Sequence, residues 1–337
     1  MANLPLNRFD YYKLPEVEAL FLGVLTKVDE IKPVFDLKQG YRFPDVEQST
    51  GLDPQASSKL MTLLFDGQVF TRQVYDMEIR CPYCNSPNIS TFYICPACDS
   101  LNIKKNLLIE HITCGYLGPL ESVGSGFNCP KCGEKIQEGE YRNIGSIYDC
   151  ADCGEQIETP FISHWCRECD KRFNFDNGIY QTAYKYSPSE ATRHDIAAGI
   201  LYLRNVTEAV AEFGYTRIPN AKVLGESGVE RTFDLGFDNK GDVMYVDLLA
   251  SSEPIGEIEF VKEYGKIVDS KKNVYLIVMP KLDDKATLVA QVYKSNTVEA
   301  STPSEALDKL RTLIMQKVPG VKQAPKPATK EKKGAFR

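Results

Sequence analysis

Ten of the eleven cysteines in this chain fall into five Cys-x-x-Cys pairs: Cys81/Cys84, Cys95/Cys98, Cys129/Cys132, Cys150/Cys153 and Cys166/Cys169. No other feature constrains the fold as strongly, because a tight turn between ligands three positions apart lets both sulfurs face one ion about 2.3 Å away. The eleventh, Cys114, stands in "IEHITCG", three residues after His111, so His111-x-x-Cys114 reads as a sixth pair. Six pairs supply twelve ligands, enough for three tetrahedral sites. The runs "CPYCNS", "CPACDS", "CPKCGE" and "CADCGE" place Pro inside three of the turns and Gly, Asn or Asp just after them, as zinc-ribbon knuckles do.

Joining neighbours along the chain puts Cys81/Cys84 with Cys95/Cys98, His111/Cys114 with Cys129/Cys132, and Cys150/Cys153 with Cys166/Cys169. A crossed arrangement, with the first pair sharing its ion with the third, is the alternative. Zn²⁺ is favoured over iron-sulfur because the pairs are separate and none belongs to a clustered ferredoxin-type run. Four protein ligands close a site, so these ions are expected to hold the fold together; a catalytic zinc keeps an open position. His164 lies two residues from Cys166, whose pair is already complete, and reads as a neighbour of the site or a surface residue. His194 has no ligand neighbours in sequence and reads as structural.

The cysteines also divide the chain. Residues 1–80 have none, all eleven lie between 81 and 169, and the rest have none. With 337 residues, the chain exceeds one ordinary core and suggests two or three domains. No apolar run approaches the ~18 residues of a membrane span, and the amino terminus shows no basic region followed by an apolar stretch. The expected location is the cytoplasm, where thiols stay reduced and paired cysteines point to metal before disulfides. Net charge is -6, but "VKQAPKPATKEKKGAFR" at the carboxyl end is basic and leaves the preceding 320 residues at -11. An acidic body argues against strong, unspecific nucleic-acid binding, which rests on Lys and Arg at phosphates. The tail, with almost no large apolar residue, is expected to be disordered, as a solubilising segment or a contact for an anionic partner.

In the first segment, Val17, Leu20, Phe21, Val24, Leu25 and Val28 recur at helical spacing behind Pro15. A short helix at "FPDVEQST" ends at Gly51. A third runs from Pro54, with Asp53 as cap and Gly67 at the exit. "QVFTRQVYDMEIR" then alternates as two short strands would. Three helices and a small hairpin are the order of a winged helix-turn-helix. Its recognition helix would present Gln55, Ser57, Ser58, Lys59 and Thr62, with Arg72 and Gln73 on the wing, to DNA or to a protein partner.

The run "CPYC…CPACDS…IEHITCG…FNCPKCGEKI…YRNIGSIYDCADCGEQI…HWCREC" resembles the zinc-rich thaumarchaeal output domain, an effector module of archaeal signalling systems. In that family a Cys-x-x-Cys pair precedes a His-containing "CG" segment, and a Gly-x-x-Tyr stretch, here Gly145 to Tyr148, leads into the next knuckle. The resemblance covers roughly residues 75–185 and implies an archaeal origin and a regulatory role without implying a reaction.

Beyond the cysteines, Ser187 and Glu190 fit a capping box with Pro188 at the first helical position. Ile196, Ile200, Leu203, Val210 and Phe213 then fit one long apolar stripe. Three strand-like runs follow, "TRIPNAKVL", "RTFDLGF" and "VMYVDLLA", then a helix at "EIEFVKEYGKIVD", the strand "VYLIVMP", a helix at "DDKATLVAQVYK" and a last helix from Pro303. This order resembles the restriction-endonuclease-like core. The resemblance implies a Mg²⁺-holding carboxylate pair, here Asp234 and Asp247, and a lysine two residues on, where this chain has Leu249. Lys262 or Lys266 on the next helix could supply that lysine. Phosphate-loop and nucleophile-elbow motifs are absent from the sequence, and "GESGVERTF" reads as a turn.

The expectation is a multi-domain α+β protein: a winged helix-turn-helix over 1–80, a zinc-ribbon block with three Zn²⁺ over 81–185, a restriction-endonuclease-like α/β domain over 186–318 and a basic tail over 319–337. Its expected function is non-catalytic regulation through nucleic acid, DNA first, with Gln55, Ser58, Lys59 and Arg72 on the binding face. A Mg²⁺-dependent nuclease using Asp234, Asp247 and Lys262 is one alternative, and a protein-interaction adaptor is another. No membrane or small-molecule substrate is expected.

Overall fold

The computed structural model describes residues 7–293 and 296–317; the tail over 319–337 lies outside the described residues. The chain begins with α1 (Arg8–Tyr11) and α2 (Pro15–Leu20), which runs on as a π turn over Phe21–Leu25. Val17, Leu20, Phe21 and Val24 are buried at the expected spacing, whereas Val28 is exposed, so the apolar stripe ends one turn early. β1 (Val34–Asp36) and β2 (Gly40–Arg42) pair as a hairpin. α3 (Pro44–Thr50) stops at Gly51, which takes a left-handed φ of 74°. α4 (Pro54–Asp66) starts where Asp53 accepts the Ala56 N–H at 2.8 Å and ends at Gly67.

The next segment departs from the wing hairpin. β3 (Phe70–Arg80) is one unbroken strand. Its alternating run contains no Gly, Pro or Asn to make a two-residue turn, so nothing local folds it back on itself. It pairs with β11 (Ile179–Pro188), after β4 (Ile89–Ile94), β5 (Ile103–His111), β6 (Tyr116–Pro119), β7 (Tyr141–Cys150), β8 (Gln156–Ile157), β9 (Phe161–Cys166) and β10 (Arg172–Asn174). These form a three-stranded sheet in the order β10-β9-β4 and a four-stranded one in the order β6-β5-β7-β8.

The helical cap after β11 lies two residues later than the sequence suggests. Ser187 and Pro188 end the strand, and Ser189 accepts the Thr192 N–H at 3.2 Å to start α5 (Glu190–Ala198). The long helix is also divided. Gly199, at φ 92°, stops α5, and α6 (Leu203–Ala211) begins anew, which leaves Ile196 exposed while Val206 and Val210 are buried. β12 (Thr216–Arg217), β13 (Lys222–Leu224), β14 (Glu230–Thr232), β15 (Leu235–Asn239) and β16 (Asp242–Ala250) follow. Then come α7 (Glu257–Ser270), β17 (Asn273–Met279), α8 (Asp284–Tyr293), β18 (Thr297–Glu299) and α9 (Pro303–Lys317).

Five of these strands make one mixed sheet in the order β12-β15-β16-β17-β18, antiparallel through β12, β15 and β16 and parallel from β16 to β18. The period of two decides what each face of β16 meets. Met244, Val246 and Leu248 join Val206, Val210, Leu310 and Ile314 in a core under α6 and α9. On the opposite face, Phe260, Leu276, Val278 and Ala286 pack under α7 and α8. Asp247 is therefore driven under α7 by register.

The cysteine distribution divides the chain into three, whereas internal contacts divide it into two compact units. One comprises Met1–Lys32, Phe43–Gln73 and Lys185–Arg337; the other comprises Pro33–Arg42 and Val74–Tyr184. The amino-terminal helices thus belong with the five-stranded sheet, and the β1–β2 hairpin belongs with the cysteines.

Candidate metal centres

The strand pairing fixes which knuckles meet. β4 lies antiparallel to β9 with Ile89 opposite Cys166 and Ile94 opposite Phe161. β5 lies antiparallel to β7 with Ile103 opposite Cys150 and His111 opposite Tyr141. The chain runs out through three knuckles and returns through three, and each outward knuckle faces a returning one. The ligand groups are Cys81, Cys84, Cys166 and Cys169; Cys95, Cys98, Cys150 and Cys153; and His111, Cys114, Cys129 and Cys132. The sites are nested, so neighbour pairing holds only for the innermost group and the crossed alternative for none. Antiparallel strands impose this, since a returning strand meets the latest outward knuckle first.

Each group fits a tetrahedral zinc. Its four ligand atoms lie within 4.8 Å of one another. Sulfur contacts run from 3.5 Å for Cys84–Cys166 to 3.7 Å for Cys95–Cys153, and His111 Nδ1 stands 3.3 Å from the Cys114 sulfur and 3.6 Å from that of Cys132. Four sulfurs around an ion at 2.3 Å sit about 3.8 Å apart, whereas a disulfide needs about 2.05 Å.

The six knuckles share one backbone. The residue after each second ligand is left-handed: Asn85, Asp99, Gly115, Gly133, Gly154 and Asp170. Its N–H donates to the carbonyl of the first ligand at 2.8–3.0 Å in every case, including Gly115 to His111. Gly, Asn and Asp are the residues that tolerate this conformation best. The histidine knuckle is therefore built like the five cysteine knuckles.

Around each group the apolar core is small. Cys81 and Cys166 pack with Phe173, Cys95 and Cys150 with Ile157, and Cys129 with Ile109, Val123 and Ile136. Cores this small do not sustain a fold alone, and metal ions are a usual supplement. The first cysteine of each returning knuckle is prepared for ionisation. The Cys153 N–H, then that of Asp152, draws Cys150 down to about 7. Burial opposes ionisation at Cys166 and Cys129, but backbone N–H groups outweigh it and bring them to about 7 and about 6. At Cys84 the Ser86 N–H favours the thiolate, yet desolvation and the sulfurs of Cys166, Cys169 and Cys81 push it up to about 12. A first thiolate thus forms readily and suppresses the next, a charge build-up that a divalent cation relieves.

Two braces beside the outermost group carry no sequence signal. Glu78 is buried, ion-paired with Arg80, and accepts the Tyr41 N–H at 2.9 Å. Arg80 donates to the carbonyls of Gln39 at 2.7 Å and Asn85 at 3.1 Å, which ties the β1–β2 hairpin to the first knuckle. His164 is buried against Phe173, and its Nδ1 lies 2.9 Å from the Thr91 hydroxyl. Outside the ligand set, it serves as a packing neighbour. His194 is exposed.

A second cluster lies on the five-stranded sheet. Asp234 sits just before β15 and Asp247 on β16, and each carboxylate accepts a backbone N–H beside the other at 2.8 Å, from Leu248 and from Asp234. Lys266 reaches Asp247 at 2.7 Å and Glu263 at 2.8 Å; Lys262 is exposed and lines the same cavity of about 130 Å³. The lysine on Asp247 is thus Lys266, since α7 turns that position toward the sheet. Lys13, between α1 and α2, reaches Asp234 at 3.0 Å and Asp10 at 3.2 Å. Sequence reasoning had no signal for it. Burial raises Asp247 above the ordinary carboxylate range, with the Asp234 charge adding to it and Lys266 opposing.

On α4, Gln55, Lys59 and Thr62 are exposed and Ser58 is half-buried, but Ser57 is fully buried with Leu60, Met61 and Leu64. Its place on the outward face was an error of helical phase. The Arg72 guanidinium lies 4.0 Å over the ring of Phe65.

Three nested groups of four potential ligands, each fitting a zinc ion, lie on antiparallel sheets within a mixed α/β chain. The family model of thaumarchaeal output domain 1 matches residues 16–187, half of the chain, and the chain belongs to that family. The match reaches beyond the cysteine block and takes in α2, α3 and α4. Among curated proteins none matches. A solved structure titled "Crystal Structure of Protein of Unknown Function AF1548" is similar over 32% of this chain and 64% of that one, with 17% identity and a TM-score of 0.26. This chain therefore spans less than two thirds of that protein, and the likeness is too slight to bear on the fold. No helix among the described residues is long and apolar enough to cross a membrane.

Proposed function

We propose that this protein is a non-catalytic archaeal output protein whose three zinc ions hold a binding surface for nucleic acid. The observation that carries the reading lies on the β10-β9-β4 sheet. Trp165, the chain's single tryptophan, has two guanidinium groups near its ring, Arg167 at 3.8 Å and Arg172 at 5.9 Å, with the Phe92 ring 6.2 Å away. Aromatic rings beside fixed cations are what stacked bases and phosphates require. This moves the expected contact from α4, where Lys59 is the single basic residue, to the ribbons. The winged-helix reading of 1–80 becomes a supporting role for α3 and α4.

Fluorescence anisotropy of labelled single- and double-stranded DNA with the zinc-loaded chain, at two salt concentrations, tests this. Binding that weakens with salt and is lost in Trp165→Ala/Arg167→Ala, but kept in Lys59→Ala, is the expected result. Binding lost in Lys59→Ala instead would restore the α4 face. No binding at either salt would sink the reading and leave the protein adaptor.

The nuclease reading is weaker. Asp234 and Asp247 face each other on a mixed sheet as a cation-holding pair would, but Lys13 and Lys266 already neutralise them. Intact DNA after incubation with Mg²⁺ or Mn²⁺ is expected. Cleavage abolished by Asp247→Ala would establish the enzyme.

A further inference from the structure

The outer face of α7 is unusually apolar for a helix that already covers a sheet. Ile258 is 88% exposed, Val261 45% and Val268 52%. With Gly265 they follow helical spacing along one stripe. Leu288 and Val292 on α8, 63% and 74% exposed, continue the apolar surface on the adjoining helix. Gly265 is the informative residue. Glycine is disfavoured inside a helix, and this one has no reason within the chain: a methyl group added there would meet no atom within 4 Å. A bare backbone at the centre of an exposed apolar stripe suits the close crossing of another helix.

We infer that α7 and α8 form the face through which two copies of this chain pair. The stripe is self-complementary in the antiparallel sense, as a two-fold axis requires. Crossing at Gly265 puts Val261 of one copy beside Val268 of the other. The ends carry opposite charge: Glu257 is exposed in the first turn, and Lys272 is exposed just past the last turn, beside Lys271, which pairs with Glu226. An antiparallel partner sets each acidic end against a basic end, and a parallel one would set like against like. This goes beyond the nucleic-acid reading and does not depend on it.

Sedimentation equilibrium of the zinc-loaded full chain, from about 1 to about 100 μM, spans the affinity range that separates a specific dimer from a weak contact. A mass twice that of the chain is expected for the wild type and for Leu117→Asp, a charge placed on an exposed apolar residue of β6 in the cysteine-bearing unit. Ile258→Lys, which faces the partner's basic end, and Gly265→Leu should each weaken the dimer at least tenfold. Gly265→Ala keeps failure of folding apart from failure of the interface. It favours the helix and meets no atom within the chain, so its thermal midpoint at low concentration should not fall while its dimer weakens. A single-chain mass for the wild type throughout the range would overturn the inference. So would dimers of Ile258→Lys and Gly265→Leu as tight as the wild type.

Discussion

Serine substitutions in pairs of knuckles read the nesting directly, because two changes in one site remove one ion and two changes in different sites remove two. Cys81 and Cys169, 88 residues apart, share a group. Cys81→Ser/Cys169→Ser should therefore retain two zinc ions, and Cys81→Ser/Cys95→Ser only one. Neighbour pairing would reverse these counts. The geometry also sets a coupling between sites. Joining Cys84 to Cys166 closes 82 residues, which costs about 4.5 kcal/mol in the cross-link entropy model. With both inner sites formed, roughly 24 of those residues are still free to be closed, and the cost falls to about 3.5 kcal/mol. The difference of about 1 kcal/mol corresponds to roughly fivefold in affinity. Cys95→Ser/Cys98→Ser, which leaves the innermost site to close 21 of those residues, should raise the cost by about 0.8 kcal/mol and weaken zinc binding at the outermost site roughly fourfold without touching its ligands. Native mass spectrometry gives the counts, and competition against a chelator gives the affinity. Two ions lost from Cys81→Ser/Cys169→Ser would refute the nested assignment, and an outermost site indifferent to the loss of its neighbour would refute the loop argument.

His111→Ala should lower the zinc count to two, whereas His111→Cys should keep three, because the Gly115–His111 turn matches the cysteine turns; native mass spectrometry checks both. Gly133, at φ 74° with open space around it, has only backbone strain to oppose a side chain, so Gly133→Ala should destabilise by about 1 kcal/mol in urea unfolding while Asn85→Gly changes little. Lys13→Met leaves Asp234 beside Asp247 without its ammonium partner and should cost about 1.5–3 kcal/mol; the Lys13→Met/Asp234→Asn double variant should recover part of it. Asp269 is held at about 2, against an ordinary 3.8, first by Arg231, at 2.6 Å, and then by Ser227. A folded value below the unfolded one means that this contact stabilises the protein above about pH 4 and is lost as pH falls through about 2. The Asp269 carboxyl shift followed by NMR should titrate near 2 in the wild type and move toward the ordinary value in Arg231→Gln.

The legible parts of this chain are those written by local chemistry. Asp53, Gly51 and Gly67 bound their helices as read, because a cap answers to residues within one turn. That His111 and Cys114 form a knuckle was legible for the same reason, since a knuckle closes within five residues. Misreadings arose where a distant partner decides. "QVFTRQVYDMEIR" looks like a hairpin until β11, about a hundred residues on, supplies the pairing that makes it one strand. Ligand spacing gives the pairs but not which pairs meet, because that depends on β4 finding β9 and β5 finding β7. Lys13 had no signal at all: its role comes from packing the amino-terminal helices with the sheet that begins after residue 215. A chain that runs out through three knuckles and returns through three must match its ligands in reverse order if its strands are antiparallel. Given the antiparallel sheets alone, the nesting would have followed from the cysteine positions.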